Sequence, residues 1–130
     1  MPSNPWPSEW IRGALSVCIL RVLASGPSYG YAISAALEEA GLGPVKGGTL
    51  YPLLTRFEEA GLVAIEWRAG DGGPGRKYYH LTEHGRAEQQ RQCAAWSAFA
   101  RLTDTFVDSP IHPEPARKGA SNEPTAVSHD

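Results

Sequence analysis

The chain has 130 residues, the size of one domain, with 42% hydrophobic and 20% charged residues, which suits a water-soluble globular protein. No apolar run reaches the roughly 18 residues of a membrane span, and the opening MPSNPWPSEW lacks a basic segment followed by an apolar one, so neither a membrane span nor a secretory signal is expected and the protein reads as cytoplasmic. The net charge of −2 excludes a uniformly basic nucleic-acid binder, but residues 9–107 balance ten Lys/Arg against ten Asp/Glu, and only the tail from 108 is acidic, so a local cationic face stays open.

Residues 1–7 are proline-rich and read as a flexible N-terminus. Ser8 is expected to cap a first helix running to about Ala24. Trp10, Ile11, Leu15, Val17, Ile19, Leu20, Val22 and Leu23 leave that helix only a narrow polar strip, which predicts burial on more than one side and hence a partner subunit. After the turn SGPS, Ser28 is expected to cap a second helix, 29–40, that ends at Gly41. A third helix follows, starting between Lys46 and Thr49 because Pro52 is tolerated only near the first turns, and ending at Gly61. Leu50, Leu53, Leu54 and Phe57 form its apolar stripe; Tyr51, Pro52, Thr55, Arg56 and Glu59 occupy the water-facing side.

LVAIEWR, 62–68, alternates like a strand, and RKYYHL, 76–81, reads as its return partner. AGDGGPG between them, with four glycines and a proline, reads as a hairpin loop over 69–75. Thr82 is expected to cap a long helix to about Val107, on which Cys93, Trp96, Phe99, Ala100, Thr103, Phe106 and Val107 form an apolar stripe. Residues 108–130, rich in proline and poor in large apolar groups, cannot offset their ordering entropy and read as a disordered tail. Cys18 and Cys93 lie in apolar helical patterns and read as free buried thiols.

Helix, helix, helix, strand, glycine-rich hairpin, strand, long helix is the plan of a winged helix-turn-helix: mainly α with a small β-hairpin, plus a C-terminal dimerisation helix. The expected organisation is a DNA-binding domain over 8–81 and a dimerisation helix over 82–107. In that plan the third helix enters the major groove and the hairpin tracks the backbone. Tyr51, Thr55 and Arg56 then face DNA, hydroxyls serving phosphates or base edges and arginine serving guanine. Arg56 has a plainer alternative, a surface ion pair with Glu59 or Glu38.

SYGYAI at 28–33, GTLYPLLTRFEEAGLV at 48–63 and GRKYYHLTEHG at 75–85 resemble the PadR family of bacterial transcriptional regulators, in the family's order and spacing over about residues 8–107. The short C-terminal region resembles the compact branch of that family. The resemblance implies a homodimeric repressor acting on an inverted-repeat operator in double-stranded DNA and released by a small effector. It implies DNA contact by Tyr29 and Tyr31 at the start of the second helix, by Thr49, Tyr51 and Arg56 on the third, and by Arg76 and Lys77 on the wing. Trp96 falls where compact members place an aromatic residue against a drug between subunits; Phe99, Trp10 and Gln92 join it as candidate effector-lining residues. The alternative for Trp96 is dimer packing. One departure is Lys46-Gly47-Gly48, where family members often carry Ser-Pro-Gly, and the paired glycines weaken the helix start.

HLTEH, 80–84, matches a zinc-protease pattern, but that chemistry needs both histidines on one helix face, and here His80 ends a strand before Thr82 starts a helix. No nucleophile–base pair and no phosphate-cradling glycine–lysine–serine motif is present. Neither an enzyme nor a metal or cofactor is therefore expected. The rival reading is a winged-helix module that binds small molecules or proteins without an operator.

Overall fold

A computed structural model describes residues 6–70 and 72–111. Helix α1 spans Ser8–Ala24, strand β1 Ser28–Tyr29, α2 Gly30–Leu37, α3 Gly47–Glu59, β2 Val63–Gly70, β3 Gly73–Leu81 and α4 Glu83–Asp108. The chain falls into two compact units, Met1–Ala98 and Phe99–Asp130. The expected N-terminal segment lies outside the described residues up to residue 5, and the expected disordered tail lies outside them from residue 112.

The core of the first unit follows the apolar stripes. Leu15, Ile19, Leu20 and Leu23 of α1 pack with Ile33 and Leu37 of α2, Leu50, Leu54 and Phe57 of α3, and Val63, Tyr79 and Leu81 of the sheet. Each fully buried aliphatic side chain contributes about 1.5–3 kcal/mol by leaving water. Cys18 packs against this core, and both cysteines are free but half-buried rather than fully enclosed. Burial first, and the nearby Cys93 thiol second, push the Cys18 thiol up, which favours its protonated form.

The starts of α1 and α2 differ from the sequence expectation, and that of α3 falls within it. Pro7, not Ser8, occupies the cap position of α1, and its carbonyl accepts from the Trp10 and Ile11 amides at 3.0 and 3.3 Å. Ser28 does not cap α2: its backbone pairs with Tyr79 in β1, and Tyr29 takes the cap position with no side-chain cap bond. Helix α2 is shorter than 29–40 and leaves through a wide turn over Glu38–Leu42, where Gly41 takes φ +105°. Lys46 is the cap residue of α3, its carbonyl accepting from Thr49 and Leu50 at 2.9 Å each. Pro52 therefore sits in the second turn and removes one ladder bond there.

The sheet has the order β1-β3-β2, all antiparallel. β2 and β3 pair from Val63↔Leu81 out to Gly70↔Gly73, so most of the segment expected as loop is strand. Between Arg68↔Arg76 and Gly70↔Gly73 the register shifts, leaving Pro74 and Gly75 opposite Ala69. A proline lacks a ladder donor, and this bulge is where none is needed. Thr82 does cap α4, accepting from the Gly85 amide at 2.9 Å.

Candidate nucleic-acid interface

Strand β1 is only two residues long, so β3 runs on past it with an open edge at Arg76 and Lys77. The start of α2 turns away at the same place, and Tyr51 reaches in from α3. The result is a cleft of about 250 Å³ lined by Tyr29, Gly30, Tyr31, Tyr51, Arg76 and Lys77. Five of the seven residues expected to contact DNA, taken from three separate sequence segments, therefore surround one concavity.

The charge and donor pattern of the cleft suits an anion. The first amides of α2 have no partner earlier in their own helix, and no side chain caps them. Arg76 and Lys77 supply positive charge, and both are exposed. Tyr31 is 78% and Tyr51 47% exposed. Tyr51 holds its position by lying over Gly30, where a Cβ would fall within 2.6 Å of the Tyr51 Cζ atom. The Arg76 guanidinium rests 4.5 Å from the Tyr29 ring centroid and the Lys77 ammonium 5.7 Å from that of Tyr79. Aromatic faces steady both cations without neutralising them.

Tyr79 itself is core. Burial pushes its phenol up, with the Tyr51 phenol and the Glu58 carboxylate adding to the shift, so it remains neutral at physiological pH. Ser34 Oγ donates to the Val45 carbonyl at 3.0 Å, tying α2 to the segment that enters α3. That bond fixes where the third helix starts relative to the cleft.

Two expected residues lie elsewhere. Thr49 lines a separate concavity of about 400 Å³ with Arg12 and Lys46. Arg56 stands exposed in the last turn of α3, and it forms no ion pair with Glu59 or Glu38 among the described residues. Both occupy the side of α3 away from the core, as does Thr55.

Sequence reasoning missed Arg68. It lies directly across from Arg76 in the hairpin, 4.2 Å from the Tyr78 ring centroid, and the Tyr78 and Tyr29 rings sit 5.2 Å apart. The alternation of LVAIEWR did place Arg68 on the same face as Glu66, but only the pairing register reveals what stands opposite.

Three of the four candidate effector residues are exposed. Trp10 is 61% exposed on α1, Trp96 37% on α4, and Phe99, in the second unit, 57%. Gln92 is half-buried and donates to Glu88 at 2.7 Å, an interaction the sequence reading did not include. His80 lies on β3 and His84 in the first turn of α4, so the two histidines of HLTEH sit on different elements.

Three α-helices, a three-stranded sheet with a hairpin wing and a long final helix define a winged-helix regulator. A profile of the transcriptional regulator PadR-like family matches residues 19–91. Transcriptional regulator Rv3488 of Mycobacterium tuberculosis is 36% identical over 93 residues, covering 72% of this chain and 85% of that protein. Among solved structures, a PadR family transcriptional regulator from Eggerthella lenta aligns at 34% identity and a TM-score of 0.68, covering 78% of this chain and 88% of that one. A PadR-like regulator from Bacillus cereus aligns at 29% and 0.71, covering 78% and 99%. The chain belongs to the PadR-like family of transcriptional regulators; it is a DNA-binding regulator and not an enzyme.

Proposed function

We propose that the protein acts in the cytoplasm as a homodimeric repressor that binds an inverted-repeat operator and is released by a small planar effector. The observation that carries the DNA contacts is the cleft that gathers Tyr29, Tyr31, Tyr51, Arg76 and Lys77 around an uncapped helix start. A backbone phosphate seats in this cleft and fixes the register of the protein on the duplex. Thr49 and Arg56 on α3 then face the major groove, with Arg56 reading a base edge.

The dimer is supported by apolar surface that a single chain leaves in water. Leu102, Phe106 and Val107 of α4 are 66–77% exposed, and Trp10 of α1 is exposed as well. An exposed apolar run such as Leu102, Phe106 and Val107 marks an association site. Two copies related by a twofold axis place their third helices about 34 Å apart, one turn of duplex. The effector binds against Trp96, stacking on the indole of each subunit, with Phe99, Trp10 and Gln92 as further contacts.

The test is titration of the protein with a duplex carrying an inverted repeat from the promoter of its own gene, against a scrambled duplex. Tight, salt-dependent binding to the first is expected, and Arg56→Ala is expected to cost about 1–3 kcal/mol on it alone. Equal affinity for both duplexes refutes operator binding. For the effector, unchanged affinity of planar aromatic compounds in Trp96→Ala, followed by fluorescence of the remaining tryptophans, refutes the Trp96 site.

A further inference from the structure

The outer face of the wing holds an arrangement that folding alone does not favour. Arg68 and Arg76 are direct cross-strand partners, so both side chains project from the same face of the sheet. Like charges directly opposite each other in an antiparallel pair are destabilising. The wing relieves this locally. Arg68 lies over Tyr78 and Arg76 over Tyr29, the two rings are in contact, and Glu66, two residues before Arg68 on the same face, accepts a hydrogen bond from the Arg68 guanidinium at 3.4 Å. Arg76 opens onto the phosphate cleft, so Arg68 carries the cationic surface from the cleft outward across the hairpin.

We infer that Arg68 is a further DNA-backbone contact, binding the phosphate next to the one in the cleft, and that Glu66 restrains it until that phosphate displaces the carboxylate. The inference rests on the DNA-binding reading above. Its chemistry is an exchange of anions. The Arg68–Glu66 pair is half exposed, at 42% and 51%, with a long single bond, and such surface pairs are weak. A phosphate offers the planar guanidinium a bidentate partner and releases a condensed counterion, so it displaces the carboxylate. The Tyr78 ring keeps the guanidinium in place during the exchange. Glu66 then lowers affinity for every duplex alike, because it competes for a cation that reads no base.

A double-mutant cycle tests this, with duplex affinity measured against salt for wild type, Arg68→Ala, Glu66→Gln and the double variant. Arg68→Ala is expected to weaken binding to all sequences about eightfold at 0.1 M salt, the worth of one released counterion, and to reduce the salt slope by about one. Glu66→Gln is expected to strengthen binding about two- to fivefold, and this gain is expected to vanish in the Arg68→Ala background. If Arg68→Ala binds as wild type does, or if the Glu66→Gln gain persists without Arg68, the inference is overturned; in the second case Glu66 merely repels DNA. Failure of wild type to bind any duplex overturns the underlying DNA reading too, which separates the two failures. Neither side chain is buried, so neither substitution opens the core.

Discussion

Gly85 in the first turn of α4 presses its Cα against the backbone of Leu62, and a Cβ built there would lie 2.7 Å from the Leu62 carbonyl carbon and closer still to its oxygen. The same junction is tied by the Thr82 amide to the Leu62 carbonyl at 3.0 Å and by Thr82 Oγ1 to the Gly61 carbonyl at 2.6 Å. The entry of the long helix is thereby fixed to the end of the α3–β2 turn. Because the obstacle is backbone, nothing can move aside cheaply. Gly85→Ala is expected to destabilise the fold by about 1–3 kcal/mol despite the better helix propensity of alanine, read as a lower urea midpoint at unchanged slope.

Gly30 gives the opposite result. A Cβ there meets the far end of the Tyr51 side chain, which can rotate away. Gly30→Ala is expected to change stability by less than about 1 kcal/mol, because alanine suits the helix start as well as glycine does. It is expected to weaken duplex binding, because Tyr51 leaves the cleft. Denaturation and DNA titration of one preparation check both halves.

Much of the fold was legible because its signals are long. Helices α1, α3 and α4 each exceed three turns, with α1 apolar nearly all round and α3 and α4 carrying apolar stripes, and Thr82 is a cap with its expected bond. What escaped notice was short or depended on pairing. β1 has two residues, too few for any alternation, and its serine carried a helix-cap signal that the pairing with Tyr79 overrode. The wing glycines signalled a loop, yet Gly75 sits where a Cβ would come within 3.0 Å of the Arg68 carbonyl, so it permits close strand approach. At the candidate site, the residue types were visible in SYGY, TLY and RKYY, but their meeting in one cleft needed the open edge of β3. Arg68 needed the register.

The exposed stripe of α4 makes a directional prediction about assembly. Leu102 and Phe106 are 66% and 77% exposed, so glutamate at both positions breaks no contact that buries them within the chain. The Leu102→Glu/Phe106→Glu variant is expected to sediment as a folded monomer, with wild type a dimer. A variant that stays dimeric removes this face from the interface.

Glu88 offers a probe of the α4 surface by pH. Hydrogen bonds from Arg91 and then Gln92 hold its carboxyl at about 2, well below the ordinary range near 4.5. A depressed folded value means the interaction contributes above the unfolded value and is lost as pH falls from about 4.5 through about 2. The Glu88 side chain is 21% exposed and that of its partner Arg91 68%, so the pair lies at the surface and the effect is read as a titration shift. A carboxyl titration by NMR is expected to place Glu88 well below the ordinary glutamate range, and Arg91→Ala to return it toward that range.

A DNA phosphate held in the cleft between α2, α3 and the wing is the contact on which the others depend. Its most direct measurement is the slope of log affinity against log salt for a promoter duplex, in wild type and in Lys77→Ala. Lys77 is exposed at the cleft edge, so its loss leaves the core intact. Steep salt dependence is expected in wild type and a slope smaller by about one in Lys77→Ala, with the ratio of specific to scrambled affinity unchanged. An identical slope in the two proteins, or no salt-dependent binding at all, contradicts this contact.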